Sequence, residues 1–300
     1  MDAQFTKVAL IGRFQTSSVG ASVRDIAAFL GERGIEVLLD HGTAQSIGAD
    51  SWRVLSTEQL GREASLAIAV GGDGTMLGIA RMFAPFGVPV VGINHGRLGF
   101  ITDIALADWR AALGTILDGR FESEERSLLT SRVLRDGETV WHELSLNDVV
   151  VNRSSRSGMI ELQVEVDGLY MYTQRGDGLI VATPTGSTAY ALSANGPILH
   201  PLLRGLVLVP VAPQTLSNRP ISLPDNVSIV VRVVGGREPR VACDMQVFSD
   251  LQIGDDILIE RAPFATRFLH PPGYSYFATL RSKLNWQELP SSLQTPGETD

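Results

Sequence analysis

LAIAVGGDGTMLGIA, residues Leu66 to Ala80, runs five apolar residues straight into two glycines, a lone aspartate and a third glycine before helical spacing resumes. The run Leu66 to Val70 has the length of a buried strand and Met76 to Phe83 the spacing of a short helix, so the glycine loop joins a strand to a helix. The same grammar surrounds it. KVALIG (from Lys7), EVLLD (from Glu36) and VPVVGI (from Val88) read as further strands. Val23, Ile26, Ala27 and Leu30 fall at i, i+3, i+4 and i+7, which predicts a helix capped by Ser22 and stopped by Gly34, and Asp108 to Leu117 predicts another. Strands alternating with helices give an α/β domain with an open, mostly parallel sheet over residues 1–120.

Near Phe121 to Arg126 the character changes. The acidic FESEER segment leads into alternating runs separated by turn dipeptides, among them SRVLRDGETVW, IELQVEVDGLYMY and VSIVVRVVGG. Asp136-Gly137 and Asp167-Gly168 are strong hairpin signals. Residues 121–288 are therefore expected to form a mainly antiparallel, β-sandwich-like domain with its C-terminal part free to return to the first. The polar, Pro- and Gly-bearing residues 289–300 read as a frayed tail.

Composition narrows the function classes. The 300 residues carry a net charge of −8, which argues against a broad basic face for nucleic acid but leaves room for a local arginine cluster facing a phosphorylated small molecule. No apolar run approaches the roughly 20 residues of a membrane helix, and the N-terminus MDAQFTKVAL lacks the regions of a signal peptide, so the expected location is cytoplasmic. The single Cys243 excludes an internal disulfide framework and reads as packing. Of 25 basic residues only Lys7 and Lys283 are lysines, neither in a glycine loop, which counts against a P-loop lysine or a Schiff base. His95 reads as a loop residue.

A buried strand that ends in Gly71-Gly72-Asp73-Gly74-Thr75 and opens a helix supplies approachable backbone N–H groups and a helix N-terminus, both suited to phosphate. Asp73 is out of place beside phosphates unless it accepts the proton of a hydroxyl attacking the phosphate, or sits on Mg²⁺. The structural alternative is a helix cap. Two further segments stand out. GDGLIVATPTGSTAYALSANGPIL (Gly176 to Leu199) joins an apolar strand to a turn offering hydroxyls from Thr183, Thr185, Ser187 and Thr188 and the ring of Tyr190, a surface for a flat polar ligand. LSLNDVVVNR puts Asn147 and Asp148 at the centre of a strand, where charge is otherwise unwelcome.

These segments, with PQTLSNRPI from Pro213 and CDMQ from Cys243, resemble the NAD kinases of the bacterial type, and the likeness spans roughly residues 7 to 283. The resemblance implies transfer of the ATP γ-phosphoryl group to the 2'-hydroxyl of the adenosine ribose of NAD, giving NADP, with a divalent metal, magnesium, and a two-domain fold. Carried over, Asp73 is the general base, with Gly71, Gly72, Gly74 and Thr75 around phosphate. Asn147 and Asp148 meet the ribose or nicotinamide half, and Thr188, Ala189, Tyr190, Ala191, Leu192, Ser193 and Gln246 line the dinucleotide site. Asp148 stands where the family often has Glu, a shorter reach. Arg175 and Asp177 match site positions too. The Arg175 position is charged in some members and small in others, which ties it to preference for NAD over NADH. The counterpart of Asp177 reaches a neighbouring subunit, which implies a homodimer or homotetramer. The alternatives are a diacylglycerol-type lipid or other alcohol kinase sharing GGDG, and a non-catalytic NADP-binding module. The −8 charge argues against the lipid kinase, and an intact Asp73 loop against the module.

Overall fold

A computed structural model describes residues 5–12, 17–48, 52–96, 99–154 and 158–286. The first part runs through β1 (Lys7–Gly12), α1 (Ser17–Glu32), β2 (Glu36–Asp40), α2 (His41–Ile47), β3 (Arg53–Leu55), α3 (Thr57–Glu63), β4 (Leu66–Gly71), α4 (Asp73–Phe83), β5 (Val90–Asn94), β6 (Ile104–Ala105) and α5 (Trp109–Leu117). Strands β3-β2-β1-β4-β5 lie side by side in that order, all parallel. The order reverses between β1 and β4, and in an open α/β sheet the crevice beyond the carboxyl ends at such a reversal is where ligands bind. Gly71 is the last residue of β4, so the glycine loop opens at that point.

Each strand of this sheet is covered on both sides, and the period-2 alternation assigns the faces. Val8 and Leu10 of β1 and Leu66, Ile68 and Val70 of β4 share a core with Val23, Ile26 and Leu30 of α1. Ala9, Ala67 and Ala69 point the other way, into a core with Met76, Ile79, Ala80 and Phe83 of α4. Helix α1 starts at Ser17, nearly two turns earlier than a Ser22 cap predicts. Val19 is buried in the same core four residues before Val23 and lengthens the apolar stripe, so Ser22 lies inside the helix. Gly34 ends the turn after it with φ +72°, as a helix stop does.

The second part comprises β7 (Glu122–Arg135), β8 (Glu138–Ser145), β9 (Asp148–Arg153), β10 (Ile160–Val166), β11 (Leu169–Gly176), β12 (Gly178–Ala182), α6 (Tyr190–Ser193), β13 (Gly205–Val211), β14 (Ile221–Pro224), β15 (Ile229–Gly235), β16 (Pro239–Cys243), β17 (Val247–Asp250), β18 (Asp256–His270) and α7 (Tyr276–Leu284). Both Asp-Gly pairs make the hairpins their sequence announces, β7 to β8 and β10 to β11, with φ of 52° and 84° at Asp136 and Gly137 and 51° and 75° at Asp167 and Gly168. Positive φ at both central residues matches the twist of the flanking strands.

Among the described residues, β14-β13-β12-β9-β16-β17 form one antiparallel sheet, which faces β10, β15, β18 and β7 across a core containing Val149, Val151, Leu179, Val181, Val231 and Ile259. The first half of β18 pairs antiparallel with β15 and β7, and after a register shift between Arg261 and Ala265 its end pairs parallel with β5, Phe268 against Val90. One long strand thus stitches the antiparallel half to the parallel one. No helix among the described residues is long and apolar enough to cross a membrane. The segment from Leu289 onward lies outside the described residues.

Candidate active site

Helix α4 begins at Asp73, directly after Gly72, whose extended backbone (φ −99°, ψ −173°) forms the N-cap without a side-chain bond. Gly72 and Gly74 are exposed at this helix N-terminus. Gly71 has no room for a side chain, since a Cβ there would lie 2.5 Å from the Thr75 hydroxyl. The Asp73 carboxylate does not cap its own helix. It reaches to the loop after β5, where Oδ2 accepts the Phe100 N–H at 2.7 Å and Oδ1 accepts the Ile101 and Thr102 N–H groups at 3.3 and 3.2 Å and the Thr102 hydroxyl at 2.8 Å. The Thr102 hydroxyl also accepts from Asn94 Nδ2 at 2.7 Å, at the end of β5. Gly99 admits the carboxylate, because a Cβ there would overlap Asp73 Oδ1. A nest of successive amides therefore holds Asp73 at the carboxyl ends of β4 and β5.

A second carboxylate, Asp244, ties the two parts of the chain together. It sits in the tight β16 to β17 turn, where Asp244 and Met245 both have positive φ, 51° and 52°. Its buried oxygens accept the backbone N–H groups of Leu146, Asn147 and Asp148 at 3.0, 2.7 and 3.1 Å and an ion pair from Arg81 of α4. Arg81 also donates to Gln246 Oε1 at 2.8 Å, and Gln246 Nε2 donates to the Gly74 carbonyl at 2.8 Å. Gln246, matched in the sequence, is thus joined to the glycine loop directly. Asp244 and Arg81 were not singled out by the sequence. The aspartate of CDMQ was the available signal, while Arg81 carried none, its partners lying 163 and 165 residues away.

Asn147 and Asp148 stand at the start of β9, not at its centre, because the chain bends at Leu146 and Asn147 to meet Asp244. Asp148 is buried, and its Oδ1 has no partner among the described residues. Burial, reinforced by the Asp244 charge, pushes its carboxyl up to about 7. The Asn147 carbonyl accepts the Thr183 N–H at 2.8 Å and is overlaid by Gly186, where any Cβ would overlap it.

The expected display of hydroxyls is corrected by the structure. Thr183 donates to the Leu146 carbonyl at 2.6 Å and Ser187 to the Pro184 carbonyl at 2.6 Å, while Thr185 accepts from Arg126 at 3.2 Å. All three are buried, since a turn this tight leaves backbone groups that the hydroxyls must satisfy. Thr188, Ala189 and Tyr190 are half-buried and Ser193 is exposed. Ala191 is fully buried against the back of the β12 sheet, and Leu192 is half-buried. Tyr190 and Ser193 line a cavity of about 610 Å³ that extends to Pro213, Thr215 and Asn218.

Arg175 stands near the end of β11 and Asp177 just before β12. They flank the opposite end of β12 from Thr183, roughly 20 Å away at strand spacing. Asp177 accepts from Arg153 at 2.9 Å, and exposed Arg175 lies 3.9 Å from Glu161. Cys243 packs beside Ser131, and burial pushes its thiol up to about 12, so it is no nucleophile. His95 lies in the bend after β5.

A sequence profile of the ATP-NAD kinase N-terminal domain matches residues 8–121 and one of the ATP-NAD kinase C-terminal domain residues 146–271. A NAD kinase of Burkholderia multivorans is 56% identical over 284 residues, 95% of each chain. One of Paraburkholderia phymatum is 54% identical over 297 residues, 99% of each chain. Among solved structures, yeast NADH kinase complexed with NADH matches with a TM-score of 0.89 over 98% of this chain and 94% of that one, at 22% identity, a likeness of fold. An NAD kinase from Archaeoglobus fulgidus in complex with ATP matches with a TM-score of 0.74 over 93% of this chain and 98% of that one, at 27% identity. Two profiles in chain order and relatives above half identity over nearly the whole length mean that this chain belongs to the NAD kinase family.

Proposed function

We propose that the chain transfers the γ-phosphoryl group of ATP to the 2'-hydroxyl of the adenosine ribose of NAD, with Asp73 as general base, releasing NADP and ADP. The observation that carries the assignment is the unequal loading of the Asp73 carboxylate. Among the described residues three donors crowd Oδ1 and one meets Oδ2, so Oδ2 keeps a lone pair toward them while the amide nest fixes its direction. The 2'-hydroxyl gives its proton to Oδ2 as its oxygen bonds to the γ-phosphorus and the bond to ADP breaks. Exposed Gly72 and Gly74 at the N-terminus of α4 offer amides and a helix dipole to the phosphates. Asp148, with an unpartnered oxygen, suits a ribose hydroxyl, and Tyr190 an aromatic base. Among the described residues no carboxylate or histidine cluster could hold a metal ion by itself, so a divalent ion such as magnesium would be bound through the phosphates of ATP and would supply charge neutralisation at the transferring group.

The hydrogen-bonded path from Gly74 through Gln246, Arg81 and Asp244 to Asn147 sets the TPTGSTAY turn beside the glycine loop, which favours a dinucleotide acceptor over a lipid alcohol. Arg175 and Asp177, at the far end of β12, serve the site of a neighbouring copy in a homodimer or homotetramer, and the enzyme works in the cytoplasm. Asp73→Asn keeps size and turn while deleting the base, so kcat is expected to fall at least ~10²-fold with NAD binding retained. Near-normal kcat in a folded Asp73→Asn protein would refute the assignment.

A further inference from the structure

A chain of buried charge that the proposed chemistry does not use runs behind the site. Asp103, adjacent to the Thr102 that binds Asp73, lies 2.9 Å from Nδ1 of His270, the last residue of β18. A carboxylate only accepts, so Nδ1 carries the proton and donates. Nε2 of the same ring faces Glu124 Oε2 at 3.3 Å, without the alignment of a hydrogen bond. Glu124 accepts from Arg126 Nη2 at 2.9 Å, and Arg126 Nη1 donates to the Thr185 hydroxyl at 3.2 Å in the TPTGST turn. Tyr274 stacks on the imidazole at 3.8 Å between centroids. Arg126 and His270 are 2% and 3% exposed. Burying two cations and two carboxylates is costly compared with apolar residues of similar volume, which calls for a role beyond stability.

We propose that His270 is a positioning residue for phosphoryl transfer, bridging Asp103 to Glu124 so that the loop whose amides aim Asp73 is held in register with the turn that Arg126 grips. The inference rests on the reading of Asp73 as the base. It needs the imidazole in its charged form. Then Asp103 and Glu124 are matched by His270 and Arg126, and the buried cluster is neutral. Burial opposes that charge, but the two carboxylates outweigh it and hold the ring's pKa above its ordinary value of 6.5. Among the described residues, the remaining titratable groups around the ring are Tyr274 and, across a cavity of about 350 Å³, Glu122, His200 and Tyr276. Tyr274 is pushed up to about 12 by burial and stays neutral. The sign follows. Below the raised pKa the bridge is intact, and as pH rises through it Nε2 loses its proton, a lone pair faces the Glu124 carboxylate, and the Asp103 loop loosens. Turnover should therefore decline on the alkaline side.

The test is kcat and KM for NAD and ATP against pH for the full-length enzyme, wild type beside His270→Asn and Asp103→Asn, with Asp73→Asn in parallel. His270→Asn is expected to lose on the order of 10- to 10²-fold in kcat, as misplaced catalytic groups do, with both KM values within about twofold and the alkaline decline gone. Asp103→Asn, which removes one of the carboxylates holding the proton on His270, should move the decline to lower pH. If His270→Asn does not fold, that displacement decides the matter. An alkaline limb unchanged in either folded variant, whatever the loss of thermal stability, overturns the proposal and leaves a purely structural cluster. Near-normal kcat in Asp73→Asn instead sinks the base assignment. Loss of kcat there with a normal His270→Asn sinks the positioning role alone.

Discussion

Asp244→Asn tests the joint between the two parts of the chain. The native Oδ1 accepts the amides of Asn147 and Asp148, and Oδ2 the amide of Leu146 and the guanidinium of Arg81. An asparagine of the same shape satisfies the first pair with its carbonyl. Its NH₂ group then faces two donors. The Leu146 amide, fully buried, is left unsatisfied at about 1–3 kcal/mol. Severing a buried ion pair from one side costs about 3–5 kcal/mol. Arg81 is 11% exposed in its side chain and retains Gln246, so it escapes part of that penalty. The two losses share a cause and overlap, giving about 3 kcal/mol in all. Urea unfolding at pH 8 with a common slope measures it. The same variant should lower kcat, because the Asn147 to Gly74 path is broken. A stability loss under about 1 kcal/mol with an unchanged slope would refute the account, since the carboxylate's charge would then be irrelevant to the joint.

Other perturbations probe the neighbouring groups. Gly99→Ala places a Cβ where Asp73 Oδ1 and the Thr102 hydroxyl lie, so it should destabilise by about 1–3 kcal/mol and reduce kcat more than KM; full activity would show that Asp73 works from another rotamer. The Asp148 carboxyl titrates near 7 when folded and near 3.9 when unfolded, so the native state binds more protons between these values and its contribution to stability falls as pH rises from about 4 to about 7. Asp148→Asn should flatten that part of a stability-against-pH curve, and an unchanged slope would remove Asp148 as its source. Arg175→Gly should raise the rate with NADH relative to NAD, and an unchanged ratio removes Arg175 from cofactor preference.

What the sequence made legible was whatever depends on local period and local backbone. The alternation in KVALIG and LAIAV, the Asp-Gly hairpins and the Gly34 stop are decided within a few residues, and each element stands where its pattern puts it. Even the error there is confined to a helix end: helix α1 begins before Ser22 because Val19 finds a place in the core, and only the packed sheet reveals that place. Side-chain partners obey a different rule. Thr183 and Ser187 looked like ligand contacts because a run of hydroxyls is conspicuous, yet a tight turn packed under β9 exposes carbonyls and amides that must be satisfied first. A composition-based reading sees the donors and not that prior demand.

The lone carboxylate of the glycine loop shows the same division. Sequence alone poses two uses for Asp73, a cap on its own helix or a base. The cap is absent, and its place is taken by amides 27 to 29 residues further along, admitted by Gly99. A carboxylate whose only task was to end a strand would gain as much from the free amides of α4 beside it. Turning away from them leaves the helix N-terminus open for phosphate and keeps the negative charge off its axis, with one lone pair of Oδ2 unclaimed by the described residues. An aspartate beside phosphates is tolerable on those terms: neutralised from behind by the loop, and available from the front to a single hydroxyl proton.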